Sequence, residues 1–173
     1  MQNTRFSYYL VCFIRLVAGT LFIPSGLLKI QGYRFSMYCP QMYSGSFFYE
    51  LQQTGVYWKF LGFCQLLTSL LLFSQRYTAF SALLYFSICV NIFVFVVGAG
   101  LSEKTIIMIP LLVIALVLII WDWSLIRVLF CVDSPVSIIS LKKQAPVKVQ
   151  IIGTVLYILV ITFFLLTDKQ FYI

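Results

Sequence analysis

The chain has 173 residues, of which 62% are hydrophobic and 18% aromatic, and its mean hydropathy is +1.01. A soluble domain of this size cannot bury that much apolar surface, and with only 10% of residues charged a disordered chain is excluded as well. The net charge of +7 does not mark a nucleic-acid binder, because the cations stand singly between apolar runs apart from Lys142, Lys143 and Lys148. Cations that flank apolar runs are topology signals for membrane spans.

The absence of histidine removes imidazole zinc sites, His-ligated haem and Ser-His-Asp catalysis. Cys12, Cys39, Cys64, Cys89 and Cys131 include no C-x-x-C pair, so no dithiol or zinc knuckle is written locally. Each reads as a small buried hydrophobe. No metal site is expected.

The first apolar run extends from about Ser7 to Ile30, broken by Arg15, and lacks a small-residue cleavage site, which predicts a retained span. Gln31 to Val56 is too polar to cross. Within it Ser46 is placed to cap a short amphipathic helix from Phe47 to about Thr54, stopped by Gly55. A second span is predicted from Tyr57 to Ser74, with Tyr57 and Trp58 as an aromatic belt at one interface. A third, from Tyr77 to Val97, follows so closely that the two must form an antiparallel hairpin.

The fourth span runs from Thr105 to Trp121, with Pro110 in its first two turns, where a missing donor is tolerated. After Asp122 the composition is mixed up to Lys148, and Val149 to Leu166 forms a fifth span. With the N-terminus inside, Arg5, Arg76, Arg127, Lys142, Lys143 and Lys148 fall on the cytoplasmic side. Lys29, Arg34, Lys59, Lys104 and Lys169 then fall outside. The basic cluster favours this orientation.

Arg15 lies inside the first span, where an ionised guanidinium needs a partner, water or a route to the surface. Arg15, Gly19, Phe22, Gly26 and Lys29 share one helical face, so both cations and both glycines point into the bundle. Gln65, Asn91 and Asp122 are the polar groups able to meet that face. Comparing depths predicts an Arg15–Asp122 ion pair bridged by Gln65, with Asn91 nearer Ser25 and Lys29. Such a pair serves equally well to fix helix register as to bind a ligand.

The order Arg15, Gly19, Ser25-Gly26 and Lys29 resembles the first helix of the DoxX-like membrane family. Arg34-Phe35, Pro40, Gly45, Phe47-Phe48, Leu51, Thr54-Gly55, Tyr57-Trp58, Phe60, Gly62 and Gln65 resemble its outer segment and second helix. The leucine run before Arg76, Asn91-Ile92 and Trp121-Asp122 continue the likeness, which covers about Arg15 to Arg127. The resemblance implies an all-α integral membrane protein of the bacterial inner membrane, built on an antiparallel four-helix bundle. Residues 1–130 form that domain, 131–148 a basic cytoplasmic connection, and 149–173 an added fifth span with a short tail.

Some relatives are similar to subunits of a thiosulfate:quinone oxidoreductase, and others are associated with thiol and oxidative-stress partners. The function implied is a redox-associated accessory subunit that binds a quinone or anchors a protein partner in a membrane redox complex. Without histidine or C-x-x-C the chain has no evident electron carrier of its own, so a partner or bound cofactor supplies it. A carrier for a small anion or lipid-like molecule and a structural assembly factor are the alternatives. The candidate binding residues are Arg15, Ser25, Gly26, Lys29, Gln65, Asn91 and Asp122, under an aromatic lid of Phe47, Phe48, Tyr57 and Trp58.

Overall fold

The computed structural model describes residues 5–31, 54–98, 100, 102–130 and 146–168. The expected helix from Phe47, the lid residues Phe47 and Phe48, and the basic pair Lys142 and Lys143 lie outside the described residues.

Six helices make up the described chain, and no strand occurs among the described residues. They are α1 (Arg5–Gln31), α2 (Val56–Ser74), α3 (Thr78–Gly98), α4 (Ser102–Trp121), α5 (Trp123–Phe130) and α6 (Val147–Asp168). Ser7–Gln31, Val56–Ser74, Thr78–Gly98 and Val147–Thr167 are each long and apolar enough to cross a membrane. The apolar stretch of α4, Thr105–Trp121, is shorter, about 25 Å at the α-helical rise. The chain is a multi-pass membrane protein, and the limits of these four long helices fall within two residues of the runs read from the sequence. The short helix α5 was not anticipated, since eight residues of mixed character after Asp122 carry no span signal.

Helices α1 and α2 run antiparallel along their shared length because glycines let their backbones approach. A Cβ at Gly62 would stand 2.7 Å from Lys29 Cβ and 2.8 Å from the Gly26 carbonyl oxygen, and one at Gly26 would stand 2.9 Å from Leu66. One turn pair further on, Ser69 Oγ donates to the Gly19 carbonyl at 2.8 Å. In lipid, association rests on this close packing and on interhelical hydrogen bonds, since lipid tails are as apolar as the helices.

Around this pair, α3 and α4 pack against each other, and Phe22 of α1 meets Tyr85 of α3 with ring centroids 4.6 Å apart. Val11, Ala18, Leu72, Ala82, Ile88, Cys89, Ala115 and Leu118 complete that core. On the other side α6 lies against α1 and α2. Gly153 abuts the Phe73 carbonyl, and the Tyr157 hydroxyl donates to the Leu66 carbonyl at 2.9 Å.

The turn from α2 to α3 has a specific cause. Gln75 ends α2 in the left-handed conformation (φ 52°, ψ 14°), a position that glycine ordinarily takes. Its side-chain amide donates to the Leu72 carbonyl at 2.9 Å, closing the last turn. Its other end serves α1, as described next.

Candidate functional site

Two buried polar clusters lie at different levels of α1. Arg15 and Lys29 are fourteen positions apart by number, about 21 Å along the helix axis. Phe22, with Tyr85 stacked on it, occupies the interval. The shared face read from the sequence is therefore real, but it serves two separate sites.

At the first, Arg15 is buried and its Nη2 donates to Asp122 Oδ2 at 2.6 Å. Nη1 donates to Gln75 Oε1 at 3.0 Å, and Nε is buried without a hydrogen-bond partner. Asp122 stands at the corner between α4 and α5, with the Thr78 side chain beside it at the start of α3. One guanidinium thus ties α1 to the α2–α3 turn and to the end of α4. The cluster is electrically balanced and its carboxylate is committed, which makes it a fastener more than a receptor.

The predicted Arg15–Asp122 pair is present, but Gln75, not Gln65, completes it. The reason is the register of α1 against α2. Gly26 meets Gly62 and Gly19 meets Ser69, so Arg15 faces the end of α2 rather than its middle. Gln65 is ten positions before Gln75 by number, about 15 Å away along α2. Helix α1 accordingly overhangs the α2–α3 turn by about ten residues, roughly 15 Å. A depth estimate that starts every helix at one surface misplaces Gln65 by that overhang. The signal for Gln75 was a polar residue at the hairpin turn, where glycine or asparagine is usual.

At the second cluster, Lys29 is only 5% exposed although it lies in the last turn of α1. Its Nζ donates to Ser25 Oγ at 2.6 Å, to Gln65 Oε1 at 3.0 Å and to the Ser25 carbonyl at 3.2 Å. Ser25 Oγ also donates to Gln65 Oε1 at 3.3 Å. The ammonium lies 5.2 Å from the ring centroid of Trp58, and Gly26 and Gly62 provide the close backbone approach beneath it. Lys29 does not snorkel to an interface; its stem is held against Gly62, which directs the amine inward.

Of the sequence-selected residues, Ser25, Gly26, Lys29, Gln65 and Trp58 come together here, and Arg15 and Asp122 meet at the other end. Asn91 joins neither cluster and is exposed on α3. Trp58 is 3% exposed and packs on Lys29 instead of forming an outward belt, whereas its neighbour Tyr57 is 43% exposed. The hundred-degree step between adjacent helical positions separates the two rings. Cys12, Cys64 and Cys89 are free thiols.

The DoxX family model matches residues 10–98, which run from α1 through α3 and include every member of the Lys29 cluster. The chain belongs to the DoxX family. The match takes in Arg15 and Gln75 as well, and it ends before α4, so Asp122 and α6 lie beyond it. No curated protein and no solved structure matches the chain.

Proposed function

We propose that this DoxX chain is a redox-associated accessory subunit of the bacterial inner membrane, and that the Lys29, Ser25, Gln65 and Trp58 cluster holds the head group of a quinone-like molecule. All five long helices cross the bilayer in this reading, with the N-terminus inside, α1 to α4 as the bundle and α6 as an added fifth span. The observation that carries it is the Lys29 ammonium, sunk inside the helix pair within hydrogen-bond reach of Ser25 and Gln65 and against an indole face.

A buried amine is a strong directional donor for a carbonyl oxygen, and more so for one gaining negative charge. Trp58 sets an indole face beside that amine. The electron carrier is the partner's contribution; the chain's own residues bind and orient.

The same ammonium supports a second reading, a binding protein for a small anion, since buried positive charge recruits negative ligands. The two part on a simple titration. With Trp121 and Trp123 replaced by phenylalanine, Trp58 is the sole tryptophan, and adding a quinone to the reconstituted protein quenches its emission saturably. Sulfate or thiosulfate that displaces the quencher favours the anion reading. No saturable quenching, with Trp58 insensitive to Lys29→Met, removes both.

A further inference from the structure

We infer that the end of the molecule bearing the Arg15–Asp122 pair is a binding surface for anionic phospholipid head groups, formed by Arg76, Arg127 and Lys148 with Tyr77 and Trp123. The three cations are exposed and come from three different elements: the α2–α3 turn, α5, and the first turn of α6. Contacts place them at one end. The Arg15 guanidinium joins the Gln75 turn to the Asp122 corner, one residue from Arg76 and from Trp123 respectively. Gly153 abuts the Phe73 carbonyl, and Lys148 precedes Gly153 on α6 by about 7 Å of helix, toward the same end.

Two of the cations carry an exposed aromatic neighbour in the same arrangement. The Arg76 guanidinium lies 5.3 Å from the Tyr77 ring centroid, and Tyr77 is 52% exposed. Trp123, 59% exposed, and Arg127 are four apart on α5 and share its outer face, while Ile126 turns inward and is buried. Aromatic rings settle at the boundary between acyl chains and head groups, and an adjacent guanidinium then reaches the phosphate layer. Helix α5 thereby sets Ile126 against the protein and holds Trp123 and Arg127 toward the interface.

Among the described residues no exposed carboxylate opposes this surface, because Asp122 is buried and committed to Arg15. Charge and aromatic placement together fit a negatively charged head group at a bilayer interface, not a zwitterionic one. Guanidinium groups add bidentate hydrogen bonding to phosphate, which Lys148 supplies only as a point charge.

The test is native mass spectrometry of the full chain released from nanodiscs of equal phosphatidylglycerol and phosphatidylcholine. Phosphatidylglycerol adducts are expected to outnumber phosphatidylcholine adducts several-fold. Replacing Arg76, Arg127 and Lys148 singly by glutamine lowers that preference partway toward parity, each by less than the roughly fivefold that one cation near an anionic surface contributes at most. The triple variant shows parity, and Lys59→Gln at the opposite end of α2 leaves the preference unchanged. The preference also falls in wild type as salt rises, a readout that stands even where the triple variant fails to fold. Equal retention of the two lipids by wild type, or an undiminished preference in the single variants, overturns the assignment.

Discussion

The Arg15 guanidinium reaches the Asp122 carboxylate at 2.6 Å across 107 positions of sequence, with both side chains buried. Removing either partner leaves the other charge buried and unmatched, a loss of about 3–5 kcal/mol for a buried pair. Asp122→Ala and Arg15→Ala are each expected to lose that much in chemical unfolding of the detergent-solubilised protein. Arg15→Met combined with Asp122→Leu recovers most of it, because the double replacement leaves no orphaned charge. Additive losses in the double variant contradict the pairing.

The cost of replacing Gln75 is expected to depend on its partner. Gln75→Gly relieves the left-handed backbone, worth about 1–2 kcal/mol, yet forfeits a hydrogen bond from a charged group worth about 1.5–3 kcal/mol. With the lost bond to the Leu72 carbonyl included, the substitution should destabilise wild type by about 2 kcal/mol. In the Arg15→Met, Asp122→Leu background only that Leu72 bond, about 1 kcal/mol, stands against the backbone gain, and the same substitution is close to neutral. Unfolding midpoints of the four variants decide it.

The glycine contact between α1 and α2 supplies a matched pair of substitutions. Gly62→Ala drives a methyl into Lys29 Cβ and the Gly26 carbonyl, and overpacking of this kind costs about 1–3 kcal/mol. Gly98→Ala at the end of α3 meets nothing within 4 Å and is expected to stay within about 0.5 kcal/mol of wild type. Equal behaviour of the two in thermal melts argues against the close approach.

Helix α6 is held by the Gly153 backbone contact, the Tyr157 hydroxyl and an apolar seam in which Tyr157, Val160, Ile161 and Phe164 pack with Ile23, Leu27 and Phe73. Tyr157→Phe is expected to cost about 1 kcal/mol, the net worth of a typical hydrogen bond. Gly153→Val forces α6 away from the Phe73 carbonyl, so that Tyr157→Phe added to it costs nothing further. An undiminished cost in that background shows that the hydroxyl bond does not depend on the glycine.

Much of this was legible in the residues themselves. Span limits followed from apolar runs, since lipid requires every backbone group to be satisfied within its own helix and leaves few alternatives. The shared face of Arg15, Gly19, Gly26 and Lys29 followed from helical periodicity, and the Asp122 partner from the need to match a buried charge. What periodicity does not carry is the offset of one helix along another. That offset, set by the Gly26–Gly62 and Gly19–Ser69 contacts, put Gln75 at Arg15 and Gln65 at Lys29.

Asn91 and Trp58 illustrate the same limit in rotation. An asparagine within an apolar run reads as interhelical glue, yet the orientation of α3 leaves it exposed. A tryptophan at the start of a span reads as an interface anchor, yet the turn of α2 buries it on Lys29. The helix α5 escaped notice because eight residues are too few to show a period against mixed surroundings.

In the proposed function Lys29, not Arg15, serves the ligand, and native mass spectrometry of gently extracted protein separates the two sites in one experiment. Wild type, Lys29→Met, Gln65→Leu and the Arg15→Met, Asp122→Leu double variant are compared for bound quinone. The expected result is a quinone adduct in wild type and in the double variant, lost in Lys29→Met and Gln65→Leu while both of these variants remain folded. Wild type carrying no quinone, or Lys29→Met retaining it in full, rules out that role for Lys29 and leaves both clusters as architecture.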